Sequence, residues 1–139
     1  PDPSRVMDRV SPDEITQVGP NEVFVFGSNL AGRHGKGAAR QAMTWGAKWG
    51  QAAGLQGRSY GIPTKDRSVR RTLSIVEIRP FVLDFIKFAG SRPDLTFLVT
   101  EIGCGLAGLR PKEVAPLFEG AIALPNIHLP RRFWRALIL

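Results

Sequence analysis

Residues 22–37 read EVFVFGSNLAGRHGKG, and this stretch decides the fold class. Residues 22–26 are β-branched and aromatic, with Gly19-Pro20 before them and Gly27 after, which predicts a buried strand. The next residues are dense in glycine and run toward a helix. Over residues 37–50, Ala38, Ala42, Trp45 and Trp49 recur at three- and four-residue steps. One apolar face is expected there, with both tryptophans in the core.

Outward from this unit the alternation repeats. Residues 58–63 (RSYGIP) read as a short strand ending at Pro63, and residues 64–73 (TKDRSVRRTL) as a basic loop. Ser74 with Glu77 forms a capping-box pattern ahead of IVEIRPFVLDFIKFAG, a helical segment that Pro80 should kink or restart. Residues 95–100 (LTFLVT) are the clearest strand, and residues 101–110 a second glycine-rich loop. Pro111 suits the first position of the next helix. Residues 126–129 are a last strand, followed by the tail RRFWRALIL. Strands alternating with helices predict an α/β protein with a largely parallel, mixed sheet.

The chain has 139 residues, enough for a core burying roughly two-thirds of the unfolded surface. One domain over residues 13–139 is expected, preceded by an N-terminal arm, residues 1–12 (PDPSRVMDRVSP), rich in proline and without periodicity. Opening on Pro1 rather than Met, the sequence is consistent with a true N-terminus further upstream. Hydrophobic residues at 43% and charged residues at 22% exclude disorder and collagen-like repeats. No apolar run approaches the roughly 20 residues of a membrane span, and no signal-peptide pattern opens the chain. A soluble, cytoplasmic protein is expected. One Cys and two His supply neither a disulfide framework nor an ordinary zinc site. The net charge of +7 favours an anionic ligand such as phosphate, nucleotide or nucleic acid.

Both glycine loops come after strands and precede helices, where α/β proteins place their ligands. Glycine lets backbone N–H groups approach an anion without an intervening Cβ. Two such loops on one sheet edge suit a diphosphate. Named phosphate motifs fit poorly. A P-loop around Gly35-Lys36 needs Gly at position 30 and Ser or Thr at 37, where Leu30 and Gly37 stand. Gly103, Gly105 and Gly108 spell G-x-G-x-x-G, but no later strand ends in the acid that a dinucleotide fold requires.

Taken in order, the motifs resemble the macrodomain family over residues 13–130. That family has an acid followed by Ile or Leu ahead of an Asn that ends a strand, as Glu14-Ile15-Thr16 and Asn29 do here. A glycine turn then leads into an alanine-rich helix, similar to GRHGKGAARQA. Ile102-Gly103-Cys104-Gly105-Leu106 looks most like the subgroup that removes ADP-ribose from glutamate or DNA, as does Thr64-Lys65 before a basic stretch. The chain also resembles macrodomain-like proteins of phages and bacteria. The resemblance implies a three-layer α/β/α sandwich and a ligand of the ADP-ribose type, free or on an ADP-ribosylated protein or DNA. It implies no metal, cofactor or membrane partner.

Residue by residue, it would place Glu14 and Ile15 at the adenine end and Asn29 at the distal ribose. Gly32, Gly35, Lys36 and Gly37, with Thr64, Gly103, Cys104, Gly105, Leu106, Ala107 and Gly108, would hold the diphosphate and distal ribose. Lys65 would be the nucleophile, which needs a neighbouring cation such as Arg67, Arg70 or Arg71, or burial, to expose its free amine. One position departs: the hydrolase subgroup has Asp after I-G-C-G-L, and this chain has Ala107. Asp66 or Glu101 would have to substitute in proton transfer. A non-catalytic binder or sponge of such nucleotides is therefore an alternative.

Other candidates are weaker. Cys104, near an expected anion site, is a thiol whose pKa a helix N-terminus would lower. His34 is either a phosphate contact or base, or decoration of a surface turn; His128 reads as structural. Arg131, Arg132, Phe133, Trp134 and Arg135 suit a nucleic-acid surface with the 67–71 loop. The favoured reading docks Phe133 and Trp134 on the body and leaves the arginines in solvent.

Overall fold

The computed structural model describes residues 6–138. Among them are five strands: β1 (Glu22–Asn29), β2 (Gly54–Gln56), β3 (Ser59–Lys65), β4 (Thr96–Val99) and β5 (Ile127–His128). Four α-helices accompany them: α1 (Gly37–Ala42), α2 (Ile75–Gly90), α3 (Pro111–Val114) and α4 (Arg131–Ile138). The strands form one sheet in the order β2-β3-β1-β4-β5. β1 pairs in parallel with β3 and β4, and β4 with β5, while β2 is antiparallel to β3. The fold is α/β with a mostly parallel mixed sheet, as the alternation predicted.

β1 is apolar throughout because both of its faces are covered. Val23 and Val25 pack with Ile78, Val82 and Phe85 of α2 and with Phe118 and Phe133. Phe24 and Phe26 face the other way, against Ala39 and Ala42 of α1, Trp45, Ile15 and Val18. Helix α2 begins with the predicted capping box: the Glu77 amide donates to Ser74 Oγ at 3.2 Å and the Ser74 amide to Glu77 Oε1 at 2.9 Å. It runs through Pro80 without restarting. Val76, whose carbonyl loses its helical partner to Pro80, is 76% exposed and can bond water instead.

Several expectations are corrected. The helix predicted over residues 37–50 ends early: α1 passes into a 3-10 turn, Met43–Trp45, and Gly46 turns left-handed at φ 97°. A Cβ on Gly46 would sit 2.8 Å from the Gly57 Cα, so the backbones cross too closely for any other residue. Trp45 is consequently buried, but Trp49 falls beyond the turn and is 62% exposed. Strand β2 escaped the sequence because three residues carry no periodicity. β3 continues past Pro63 to Lys65, taking Thr64 and Lys65 out of the expected loop. β2 pairs only with residues 59–61, so one side of β3 is open at Pro63 and the missing N–H costs no ladder bond there.

Residues 6–12 are not a free arm, while residues 1–5 lie outside the described residues. After a 3-10 turn, Met7–Arg9, Val10 bridges Leu129, and Ser11 Oγ donates to the Val99 carbonyl at 2.7 Å. The Arg9 guanidinium donates to the carbonyls of Ala121, Ile122, Leu124 and Ile127 at 2.7–3.1 Å and lies 4.9 Å from the Trp134 ring centre. No described helix is long and apolar enough to cross a membrane.

Candidate functional site

The chain leaves β1 toward the face covered by α1, and leaves β4 toward the face covered by α2 and α3. Loops that diverge from adjacent parallel strands open a crevice beyond the strands' carboxyl ends. At that point lies a cleft of about 810 Å³, within the roughly 300–1,000 Å³ typical of small-molecule sites. Arg33 and residues 35–39 form one wall and residues 100–107 the other, with Gly27, Asn29, Thr64 and Lys65 at the strand ends between them. The two glycine loops thus meet across one cavity. A Cβ on Gly37 would lie 3.3 Å from Leu106 Cδ1, which measures how near the walls approach.

Most residues singled out from the sequence line this cleft. Asn29, Gly35, Lys36 and Gly37 do so from the first loop side, Thr64 and Lys65 from the end of β3, and residues 103–107 from the second loop. Glu14 and Ile15 line a neighbouring cleft of about 600 Å³, which shares Thr100 and Glu101 with the first. Gly32 and Gly108 line neither. Gly32 (φ 68°) is a packing residue: a Cβ there would lie 2.4 Å from the Gly50 carbonyl carbon. Gly108 closes a turn, its amide donating to the Gly105 carbonyl at 3.1 Å.

The lining is cationic. Arg33, Lys36 and Lys65 face a single carboxylate among the described residues, Glu101. Arg132 grips Glu101 at 2.5 and 2.6 Å, and this holds the carboxyl below its ordinary range. Among the described residues no carboxylate comes within 4.0 Å of the Lys65 amine. Backbone donors are available as well. The amides of Gly35 and Lys36, and those of Gly105, Leu106 and Ala107, have no acceptor among the described residues.

The polar groups expected to act directly are engaged with the backbone. Asn29 is buried; its amide donates to the Arg33 carbonyl at 2.8 Å and accepts from the Arg33 amide at 3.0 Å, shaping the first loop. Thr64 Oγ1 donates to the Ser28 carbonyl at 3.3 Å. Asp66 is outside the lining. It accepts from Ser68 Oγ at 2.6 Å and pairs with Arg71 at 3.6 Å, so it stays ionised in its own loop. Arg67 and Arg70 also lie outside the lining, and Arg71 is bound to Glu77 at 2.9 Å, so none is a lining neighbour of Lys65.

Cys104 and His34 depart from expectation. Burial, with the Glu101 charge adding to it, pushes the Cys104 thiol up to about 11, the opposite of thiolate activation. His34 is neither a surface group nor a lining residue. It is 2% exposed, packs edge-on against Phe26 at 5.3 Å and bonds the Gln51 carbonyl through Nε2 at 3.1 Å. Burial lowers the His128 pKa in β5, in keeping with a structural role. Phe133 and Trp134 are buried and Arg131, Arg132 and Arg135 exposed, as the docked-tail reading expected.

Arg33, Trp49 and Val69 are among the lining residues that the sequence does not mark as such. In the sequence Arg33 is only one residue of a glycine-dense turn. The apolar spacing points Trp49 to the core, although glycines at 46 and 50 are a signal against a continuous helix. Val69 lines the cleft with φ 65°, a conformation unusual for a β-branched residue. Among the described residues no group of His, Cys, Asp or Glu is placed to hold a metal ion. Comparison of the chain with protein-family models, curated proteins and solved structures found no match.

Proposed function

We propose that this protein binds a nucleotide of the ADP-ribose type, with the diphosphate between the two glycine loops. The carrying observation is that both loops wall one cleft whose lining has three cationic side chains and one carboxylate already paired. Open backbone amides and nearby positive charge are what a diphosphate needs. The adjoining cleft, whose lining mixes Ile15, Phe24 and Val99 with charged groups such as Glu14 and Arg135, is where the resemblance would put the adenine. The resemblance to macrodomains supports the same arrangement.

Binding is favoured over hydrolysis by the available carboxylates. Position 107 is Ala, Asp66 is turned into its own loop, and Glu101 is held ionised by Arg132. None is a free proton donor or base at the cleft. Hydrolysis of an ADP-ribosyl bond through Lys65 is the second reading, favoured by a lysine that lines the cleft with no carboxylate within 4.0 Å among the described residues.

Calorimetric titration with ADP-ribose, with AMP and single-stranded DNA as controls, tests the reading. Micromolar binding of ADP-ribose, much tighter than AMP, is expected. Salt-sensitive DNA binding without ADP-ribose binding would transfer the site to nucleic acid instead. The Lys65→Ala variant should bind ADP-ribose more weakly. Turnover of an ADP-ribosylated substrate that disappears in this variant, while binding persists, would establish the hydrolytic reading.

A further inference from the structure

Trp49 is the outstanding unexplained side chain. It is 62% exposed and lines the cleft, as does the second loop's Leu106, which is 67% exposed. Scattered exposed apolar residues need no explanation. Here, however, exposed Trp49 and Leu106 and half-buried Val69 line the same cavity from three different loops. Val69 does so in a left-handed conformation that a β-branched residue avoids unless its surroundings impose it.

The segment carrying Trp49 is firmly held. The Gly50 amide donates to the Gly32 carbonyl at 2.8 Å, and the Gln51 carbonyl accepts from Gln56 at 3.0 Å and bonds His34 at 3.1 Å. Ser28 Oγ donates to the Ala52 carbonyl. An exposed indole on a fixed loop is a preorganised stacking surface, so a ring that stacks on it has little ordering cost to meet there. The same cleft supplies Arg33, Lys36 and Lys65 for phosphate. A ligand meeting both demands carries an aromatic ring beyond its diphosphate.

We infer that the cleft takes a free dinucleotide, two ring systems joined through a diphosphate, whose second ring stacks on Trp49. The inference rests on reading the glycine loops as a diphosphate site and goes further by naming what lies at the ligand's far end. NAD+ and ADP-ribose are suitable probes because they differ by one ring on the distal ribose.

Both are titrated by calorimetry into the wild-type chain, Trp49→Ala and Trp49→Phe, with intrinsic fluorescence followed in parallel. Trp45 and Trp134 are buried, so quenching by a stacked ring reports on Trp49. Wild type should bind NAD+ about tenfold more tightly than ADP-ribose, a preference typical of one stacked ring. Trp49→Ala should abolish that preference, with NAD+ affinity falling about tenfold further than ADP-ribose affinity, and Trp49→Phe should restore most of it. Equal affinity for the two probes in wild type, or a preference for NAD+ that survives Trp49→Ala, overturns the inference and leaves the diphosphate site standing. An equal loss for both probes in Trp49→Ala overturns it as well. Absence of binding to either probe in wild type overturns both proposals.

Discussion

In the loop after β1, side chains hold the backbone: the Asn29 amide bonds Arg33 in both directions, and buried His34 joins the loop to Gln51. In the loop after β4, the backbone largely holds itself. Cys104, Gly108 and Leu109 donate to the carbonyls of Glu101, Gly105 and Gly103 at 2.8–3.1 Å. Two ties from outside reinforce it: Thr72 Oγ1 donates to the Ala107 carbonyl at 2.7 Å, and Arg132 grips Glu101. Glycine therefore serves two purposes in segments of similar composition. At Gly32 in the first loop it permits backbones to pack against each other; at Gly35 there and at Gly105 in the second it leaves amides accessible on a turn.

The sharpest way to break that contrast is to give a Cβ to one glycine from each loop. Gly32→Ala must fit a methyl 2.4 Å from the Gly50 backbone at φ 68°. It should cost about 3 kcal/mol or more, read as a lower urea midpoint, with ADP-ribose binding lost. Gly105 has nothing within 4 Å of its would-be Cβ. Gly105→Ala should change stability by no more than about 0.5 kcal/mol and weaken binding only. Comparable losses of stability in the two variants would end the distinction.

A smaller effect tests how far the second loop supports itself. Thr72→Val deletes the hydroxyl bonded to Ala107 and should cost about 1 kcal/mol in urea unfolding, with weaker ADP-ribose binding. An unchanged midpoint and affinity would mean that the loop's own turns suffice.

The smallest effect belongs to the Glu101–Arg132 pair, because its side chains are 34% and 58% exposed and solvent screens them. Arg132 depresses the folded-state pKa of Glu101 below the ordinary 4.5. The contribution is therefore complete above pH 4.5 and is lost as pH falls through the depressed value. Glu101→Gln should lower the melting temperature slightly at pH 7 and flatten its fall below pH 4.5. Equal acid sensitivity in both proteins would show that the pair contributes nothing to acid stability.

Much of the site was legible because glycine loops after apolar strands are local features. Asn29, Gly35, Lys36, Gly37, Thr64, Lys65 and residues 103–107 could be read as candidates along the chain and line the cleft, whereas Gly32, His34 and Gly108 could be read as candidates and do not. What each group does there was not legible. Asn29 reads as a ligand contact until its partner Arg33 is seen, and Asp66 as a proton carrier until Ser68 and Arg71 occupy it. Hydrogen-bond saturation depends on orientation, which composition does not encode.

By itself the sequence determined the α/β class, the capped helix α2 and the apolar strands β1 and β4, since these arise from periodicity and capping within a few residues. Tertiary structure alone decided the exposure of Trp49, the burial of His34, the docking of residues 6–12 and the pairing of Glu101 with Arg132. Each depends on a partner distant in the chain, such as Gly57 against Gly46 or the carbonyls of residues 121–127 around Arg9. Close approach between remote segments is set by the packing of the whole sheet, and no local pattern carries it.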